Sequence, residues 1–257
     1  TAKEISAIYG PMQYITATNV LAHISNLHDF FASVNLLLDK NGVFVCEFPY
    51  VIDLLQKCFF DTIYHEHLSY FSLMPLLPII NQNNLKIIRI RRTPIDGGAL
   101  RIFITKNNSQ FSEDTHNLDE IIRLEKISKI NQLNTYKKFA IQAKNLKVKI
   151  KQTLRKIRKR HSIAVYGAAA RGNILMNYCQ FTKKEIDFVV DSTPYKQGLF
   201  TPGNHLPIYA EVEILHQMPD YVLILAWNFA EEIMQKQKRY QKKGGKFIVP
   251  LPRLQIT

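Results

Sequence analysis

The run Phe60-Asp61-Thr62-Ile63-Tyr64-His65-Glu66-His67-Leu68-Ser69-Tyr70-Phe71-Ser72 gathers two histidines, a glutamate and two tyrosines among apolar residues. Imidazole titrates near neutrality, so it can take a proton from a weakly acidic carbon. A neighbouring carboxylate, Glu66, can orient the ring and stabilise its protonated form, and the Tyr64 hydroxyl can donate a hydrogen bond to a developing enolate oxygen. Tyr64 to His67 therefore holds the tools for forming an enolate. The same residue types serve two other ends. His-x-His with a carboxylate can ligate a metal, and such histidines can also be hydrogen-bonded members of a packed cluster. In a helical turn, Tyr64 and His67 share a face and His65 points elsewhere; in an extended segment His65 pairs with His67.

The pattern around this run supplies an α/β frame. Residues 14–18 read as a short strand. Asn26 to Leu38 reads as a helix, with Leu27, Phe30, Phe31, Val34 and Leu38 at helical spacing. Asp39 to Gly42 reads as a turn, and Val43 to Phe48 as a buried strand. A strand–helix–strand order implies a parallel sheet. A helix is expected around 73–84, with Pro75 tolerated in its first turn and Pro78 bending it. Lys86 to Arg92 and Ala99 to Thr105 read as an antiparallel pair. From about 114 to 160 apolar residues from Ile127 to Ile157 step by three or four with no Pro or Gly, so one long helix or two in tandem are expected.

An α/β pattern then restarts. Ser162 to Tyr166, Ile186 to Val190, Tyr221 to Ala226 and Lys246 to Val249 read as strands, and Ala170 to Cys179 and Glu231 to Gln241 as helices, giving a small doubly wound domain. Gly167 turns from strand into helix, where backbone N–H groups favour anions. The spacing is not G-x-G-x-x-G, so a plain tight turn is the competing reading. Asp191, closing the next strand, stands where a dinucleotide fold places its ribose ligand.

Composition narrows the partners. The chain has 257 residues, 46% hydrophobic and 21% charged, which is ordinary globular composition. No apolar run reaches membrane-span length, and the opening stretch is no signal peptide. Cys46, Cys58 and Cys179 are scattered and odd in number, which suggests neither a disulfide framework nor a zinc site and fits a reducing cytoplasm. No bound metal is expected. The net charge is +13, and Lys144 to Arg160 alone holds nine Lys or Arg and no acid. That stretch reads either as a solvated helix face or as a nucleic-acid surface. With no recognised binding motif or base-stacking platform, nucleic acid is not an expected partner.

The run from Phe60 to Ser72 resembles the hallmark of the S-adenosylmethionine-dependent C-methyltransferases that modify nucleotide-linked 4-keto-deoxysugars. The resemblance extends to Asn19-Val20-Leu21-Ala22-His23-Ile24, to Gly42 to Tyr50, to Asp96-Gly97-Gly98-Ala99-Leu100-Arg101, to Tyr166 to Asn173 and to Asp191 to Gly198. These blocks stand in the family's order and span nearly the whole chain. The resemblance implies that His67 abstracts the proton from the sugar carbon beside the ketone, assisted by Tyr64 and Glu66, with His23 in the same pocket. The enolate then attacks the methyl group of S-adenosylmethionine. It further implies sugar contacts from Asn19, His65, Gly97, Gly98 and Arg101, the glycine pair admitting close backbone approach. Arg171, Asn173, Asp191 and Lys196 become candidate contacts to the nucleotide diphosphate.

The family's methyltransferase domain opens with a glycine-rich strand–turn–helix that cradles S-adenosylmethionine, and Gly10 is the only glycine before Gly42. The family's cysteine-rich zinc module is likewise missing before Tyr14. The chain is therefore expected to enter the family pattern midway. Residues 1–110 would be the later part of a class I methyltransferase sheet, 111–160 a helical connector, and 161–257 a Rossmann-like C-terminal domain. A nucleotide-sugar-binding remnant without methyl transfer is the alternative reading.

Overall fold

The structure, a computed structural model, describes residues 1–257. The elements run α1 (Ala2–Tyr9), β1 (Met12–Thr18), α2 (Leu27–Leu37), β2 (Leu38–Pro49), α3 (Val51–Lys57), α4 (Leu73–Gln82), β3 (Leu85–Thr93), β4 (Ala99–Lys106), α5 (Thr115–Ile127) and α6 (Leu133–Arg158). They continue with β5 (Ile163–Tyr166), α7 (Ala170–Cys179), β6 (Val189–Val190), β7 (Ile208–Tyr209), α8 (Glu213–Gln217), β8 (Tyr221–Ile224), α9 (Ala230–Lys236), α10 (Lys238–Lys242), β9 (Lys246–Val249) and β10 (Gln255–Ile256). Two compact units result. The first comprises residues 1–56 and 65–137, the second 57–64 and 138–257.

The first unit is built on a four-stranded sheet in the order β1-β2-β4-β3. β1 and β2 are parallel, as the strand–helix–strand pattern requires, and β3 and β4 form the expected antiparallel pair. Asp39 to Gly42 is not the turn its composition suggests; it lies inside β2. The register explains the difference: Met12 faces Leu38 but Tyr14 faces Val43, so the polar residues bulge out without leaving the strand. Gly42 is required there, because a Cβ would lie 2.6 Å from the Met12 carbonyl oxygen. Leu38, Phe44, Cys46 and Phe48 from β2 are buried with Phe31, Leu73, Leu76, Ile80, Ile102 and Ile104. α4 continues through Pro78.

The helical stretch is two helices, α5 and α6, and Lys129 between them has the left-handed φ of 51°. α6 buries Ile150 and Leu154 completely. The second unit has a six-stranded sheet in the order β10-β9-β8-β5-β6-β7, parallel except for β10. The chain steps outward from β5 through β6 to β7, then returns to β8 on the other side of β5. This reversal is the switch point of a doubly wound sheet. Ala164, Tyr166, Val190, Val222, Ile224, Ile233 and Phe247 pack in its core. The α/β expectation thus holds in both units.

Candidate functional site

In the first unit, strand register gathers one end of the sheet. Thr18 faces Glu47, Glu47 faces Arg101, and Pro49 faces Ala99. Asn19, Gly98 and Arg101 therefore lie at or beside the carboxyl ends of the parallel strands β1 and β2, where open α/β sheets bind ligands. Asn19 adopts a left-handed φ of 56° and donates its backbone N–H to the Glu47 carbonyl (2.9 Å) and its side-chain amide N–H to the Asp96 carboxylate (3.0 Å).

A single turn of 3₁₀ helix, Leu21–His23, follows Asn19. The His67 stretch is laced to it at two points: the Leu68 N–H donates to the Ala22 carbonyl (2.8 Å), and His23 Nδ1 lies 2.8 Å from the Glu66 carbonyl oxygen. A carbonyl only accepts, so His23 carries its proton on Nδ1 in this bond and its Nε2 is the basic atom of the neutral ring. The His23 and His67 rings meet edge to face with centroids 5.1 Å apart, and Tyr70 packs edge-on to His67 at 6.1 Å. His67 is half-buried, while His65, Glu66 and His23 are exposed.

The helical-turn geometry considered for Tyr64 and His67 is absent. Tyr64 is in a bend, His65 and Glu66 form a turn, and residues 67–70 are irregular. The backbone bond from Leu68 to Ala22 replaces the local bond a helix would need. Tyr64 also closes the 57–64 segment, which belongs to the second unit. It is the Glu66 backbone carbonyl, rather than its carboxylate, that orients a histidine here.

The glycine pair has a cause within the fold. Gly97 and Gly98 have φ of 92° and 147°, and a Cβ on Gly98 would sit 2.3 Å from the Asp53 carboxyl carbon. Asp53 is buried and grips Arg92 through both oxygens at 2.9 Å. Arg101 is paired too, its Nε 2.8 Å from buried Glu47.

In the second unit a cleft of about 350 Å³ opens at the switch point. Its walls are the β5–α7 turn (Tyr166, Gly167, Ala169), the end of β6 (Asp191 to Thr193) and the segment after β8 (Ala226, Phe229), with Lys196 and Lys236 contributing cations. Gly167 has a φ of 102°, which a side chain would strain, while a Cβ there would meet Ala226 only at ordinary contact distance, 3.4 Å. Ala169 is the N-cap of α7 and has no side chain to satisfy that helix end. The Asp191 carboxylate accepts from the Ala168 N–H (2.7 Å), the Thr193 N–H (2.9 Å) and Lys196 Nζ (3.4 Å). Burial alone would raise its pKa; the hydrogen bonds from Thr193 and Ala168, with the Lys196 charge, outweigh that and hold it below the usual carboxylate value. Glu211 accepts from the Tyr166 hydroxyl and pairs with Lys236 at 2.5 Å, and burial, reinforced by that carboxylate, raises the Tyr166 pKa.

The sequence-derived contacts divide accordingly. Asp191 and Lys196 line this cleft. Arg171 instead pairs with Asp61, and Asn173 keeps a buried Oδ1 without a hydrogen-bond partner. On the basic helix, Arg155 pairs with Glu185, Arg158 with Asp187, and Lys147 sits 4.6 Å over the Tyr178 ring, so part of its charge is spent inside the unit. The three cysteines are free and buried; burial pushes Cys46 and Cys179 up to about 12 and Cys58 up to about 11, which leaves no reactive thiolate.

Sequence reasoning missed five buried acids: Glu47, Asp53, Asp61, Glu125 and Glu185. Glu125 accepts from the Tyr50 hydroxyl (3.0 Å) and from the Leu73 (2.5 Å) and Met74 (2.9 Å) N–H groups, capping α4 where the histidine stretch ends. A signal existed for three of them, since Glu47, Asp53 and Asp61 each interrupt an apolar run.

Residues 94–252 match the family model described as the C-methyltransferase C-terminal domain. Over 251 residues the chain is 32% identical to the C-methyltransferase NovU of Streptomyces niveus, a match that covers 97% of this chain and 60% of that relative's length.

Proposed function

Because this chain belongs to the C-methyltransferase family, we propose that it carries the proton-abstracting and nucleotide-binding parts of a C-methylation whose substrate is a nucleotide-linked keto-deoxysugar. His67 is the base. Its imidazole takes the proton from the carbon beside the ketone, the C–H electron pair enters the new C=C bond, and the ketone oxygen takes the negative charge. Tyr64 donates to that oxygen. Glu66 contributes through its backbone carbonyl, which fixes the tautomer of His23. Asn19, His65, Gly97, Gly98 and Arg101 form the sugar side of the reading.

The second unit's cleft takes the nucleotide diphosphate. Support comes from the uncapped start of α7 beside Gly167, from Lys196 and Lys236, and from the exposed ring of Phe229, a surface on which a base can stack. Asp191 is the ribose-side carboxylate, and Arg171 and Asn173 act from α7.

S-adenosylmethionine supplies an electrophilic methyl group when bound. The first unit's strands follow α1 and Gly10 with no glycine-rich strand–turn–helix among them.

The observation that carries the reading is the edge-to-face pair His23–His67, pinned by Glu66 at the ligand-binding end of a parallel strand pair. The test is to incubate this chain with a dTDP-linked 4-keto-deoxysugar in heavy water, without methyl donor, and follow the α-proton by NMR. Enzyme-dependent exchange of that proton is expected. Exchange no faster than in buffer, with the nucleotide sugar shown to bind, would remove the base from this chain.

A further inference from the structure

Asp61 is completely buried, and its partners sit beside the two walls of the second unit's cleft. Its Oδ2 accepts from Arg171 Nε (3.0 Å) and from Trp227 Nε1 (2.8 Å). Arg171 is in the first turn of α7, immediately after the Gly167–Ala169 wall. Trp227 lies between Ala226 and Phe229, which line the other wall. The guanidinium stacks over the indole at 4.6 Å, and Phe59 stacks on that indole at 4.4 Å. One carboxylate thus ties the β5–α7 turn to the segment after β8.

We propose that Asp61 is a positioning residue that makes nucleoside-diphosphate binding in the cleft and docking of the Lys57–Tyr64 segment a single coupled event. The inference rests on reading the cleft as the nucleotide subsite. The segment has little order of its own. Beyond Lys57, the last residue of α3, its regular structure is one 3₁₀ turn, Phe60–Thr62, closed by local bonds from Thr62 to Phe59 and from Ile63 to Phe60, and such a turn does not persist alone. Docking comes from Asp61, from Phe59 on Trp227, and from Phe60 against Tyr178 at 5.0 Å. With the segment docked, Arg171 has its counter-charge and both walls are held. A ligand that needs both walls then binds more tightly. Linkage makes the effect reciprocal: the bound ligand holds the segment down by the same factor. In sequence the segment leads directly to His65, Glu66 and His67.

Three readouts on this chain test the coupling, with dTDP as the probe: calorimetry, emission of Trp227, which is the only tryptophan, and amide hydrogen exchange of residues 57–64. The wild-type chain should bind dTDP, shift its Trp227 emission and slow exchange across 57–64. Asp61→Asn should bind dTDP roughly tenfold more weakly and lose that protection. Circular dichroism checks its folding, because it leaves a guanidinium without its partner. Should it not fold, Trp227→Phe carries the test: it keeps an aromatic ring against Phe59, removes the N–H donated to Asp61, and should weaken both binding and protection. Wild-type binding that leaves exchange of 57–64 unchanged overturns the coupling and spares the cleft. So does a folded variant that binds and protects like wild type. Failure of the wild-type chain to bind dTDP overturns the cleft reading, and the coupling falls with it.

Discussion

Residues 57–64 and 65–72 are one continuous stretch in sequence but two kinds of structure. The upstream half is held by a buried carboxylate and stacked rings, with Asp61, Phe59 and Phe60 buried. The downstream half leaves His65 and Glu66 exposed and is tied down by the bond to Ala22, the bond to His23 and the Glu125 cap at its end. A group that must meet a substrate has to keep an open face, whereas a group that positions others gains from losing water, since hydrogen bonds strengthen in low dielectric. The motif therefore combines an anchor with a working end.

The contrast should be sharpest in stability. Phe59→Ala removes a buried ring from the Trp227 stack and should cost about 3–5 kcal/mol, read from the guanidinium midpoint of the second unit; a loss below about 1 kcal/mol would mean that the upstream half is not an anchor. Glu125→Ala leaves three donors unpaired, two of them buried, and should cost on the order of 3 kcal/mol in the first unit. It should also accelerate amide exchange at Leu73 and Met74, and unchanged exchange there would break the account of the cap.

Asp191 sharpens the comparison by pH. Its folded pKa is depressed, so its stabilising contribution is fully present above the ordinary value of 3.8 and is lost as pH falls through the lower, folded value. Acid titration of the second unit should show this loss, and Asp191→Asn should flatten it. An unchanged acid profile in that variant would assign the loss to another carboxylate. The smallest effect is expected at the working end: Glu66→Gln should alter stability by no more than about 0.5 kcal/mol and leave proton exchange near wild type, because the carbonyl that holds His23 is retained. A large drop in exchange would put the Glu66 carboxylate in the chemistry.

Local signals made much of the frame legible. The helix Ala170–Cys179, the turn at Gly167 and the β3–β4 pair follow from short-range patterns, and Asp191 and Lys196 do line one cleft. Long-range partners were not legible. Asp61 finds Arg171 across 110 positions, Glu125 finds Leu73 across 52, and Arg92 finds Asp53 across 39. No window of sequence contains such pairs, so Asp53 could not be seen as the reason for Gly98, nor Asp61 as the partner of Arg171. The geometry at Tyr64–His67 failed for the same reason: a helical spacing is only an option until Ala22 claims the Leu68 N–H.

The central claim is that His67 takes the proton. The direct measurement is α-proton exchange of a dTDP-linked 4-keto-deoxysugar in heavy water, comparing the wild-type chain with His67→Gln while dTDP affinity is followed by calorimetry. Loss of a general base typically costs about 10²–10⁴ in rate, so exchange should fall by that order with dTDP affinity unchanged. Exchange by His67→Gln at the wild-type rate would contradict the assignment and move the base to His23.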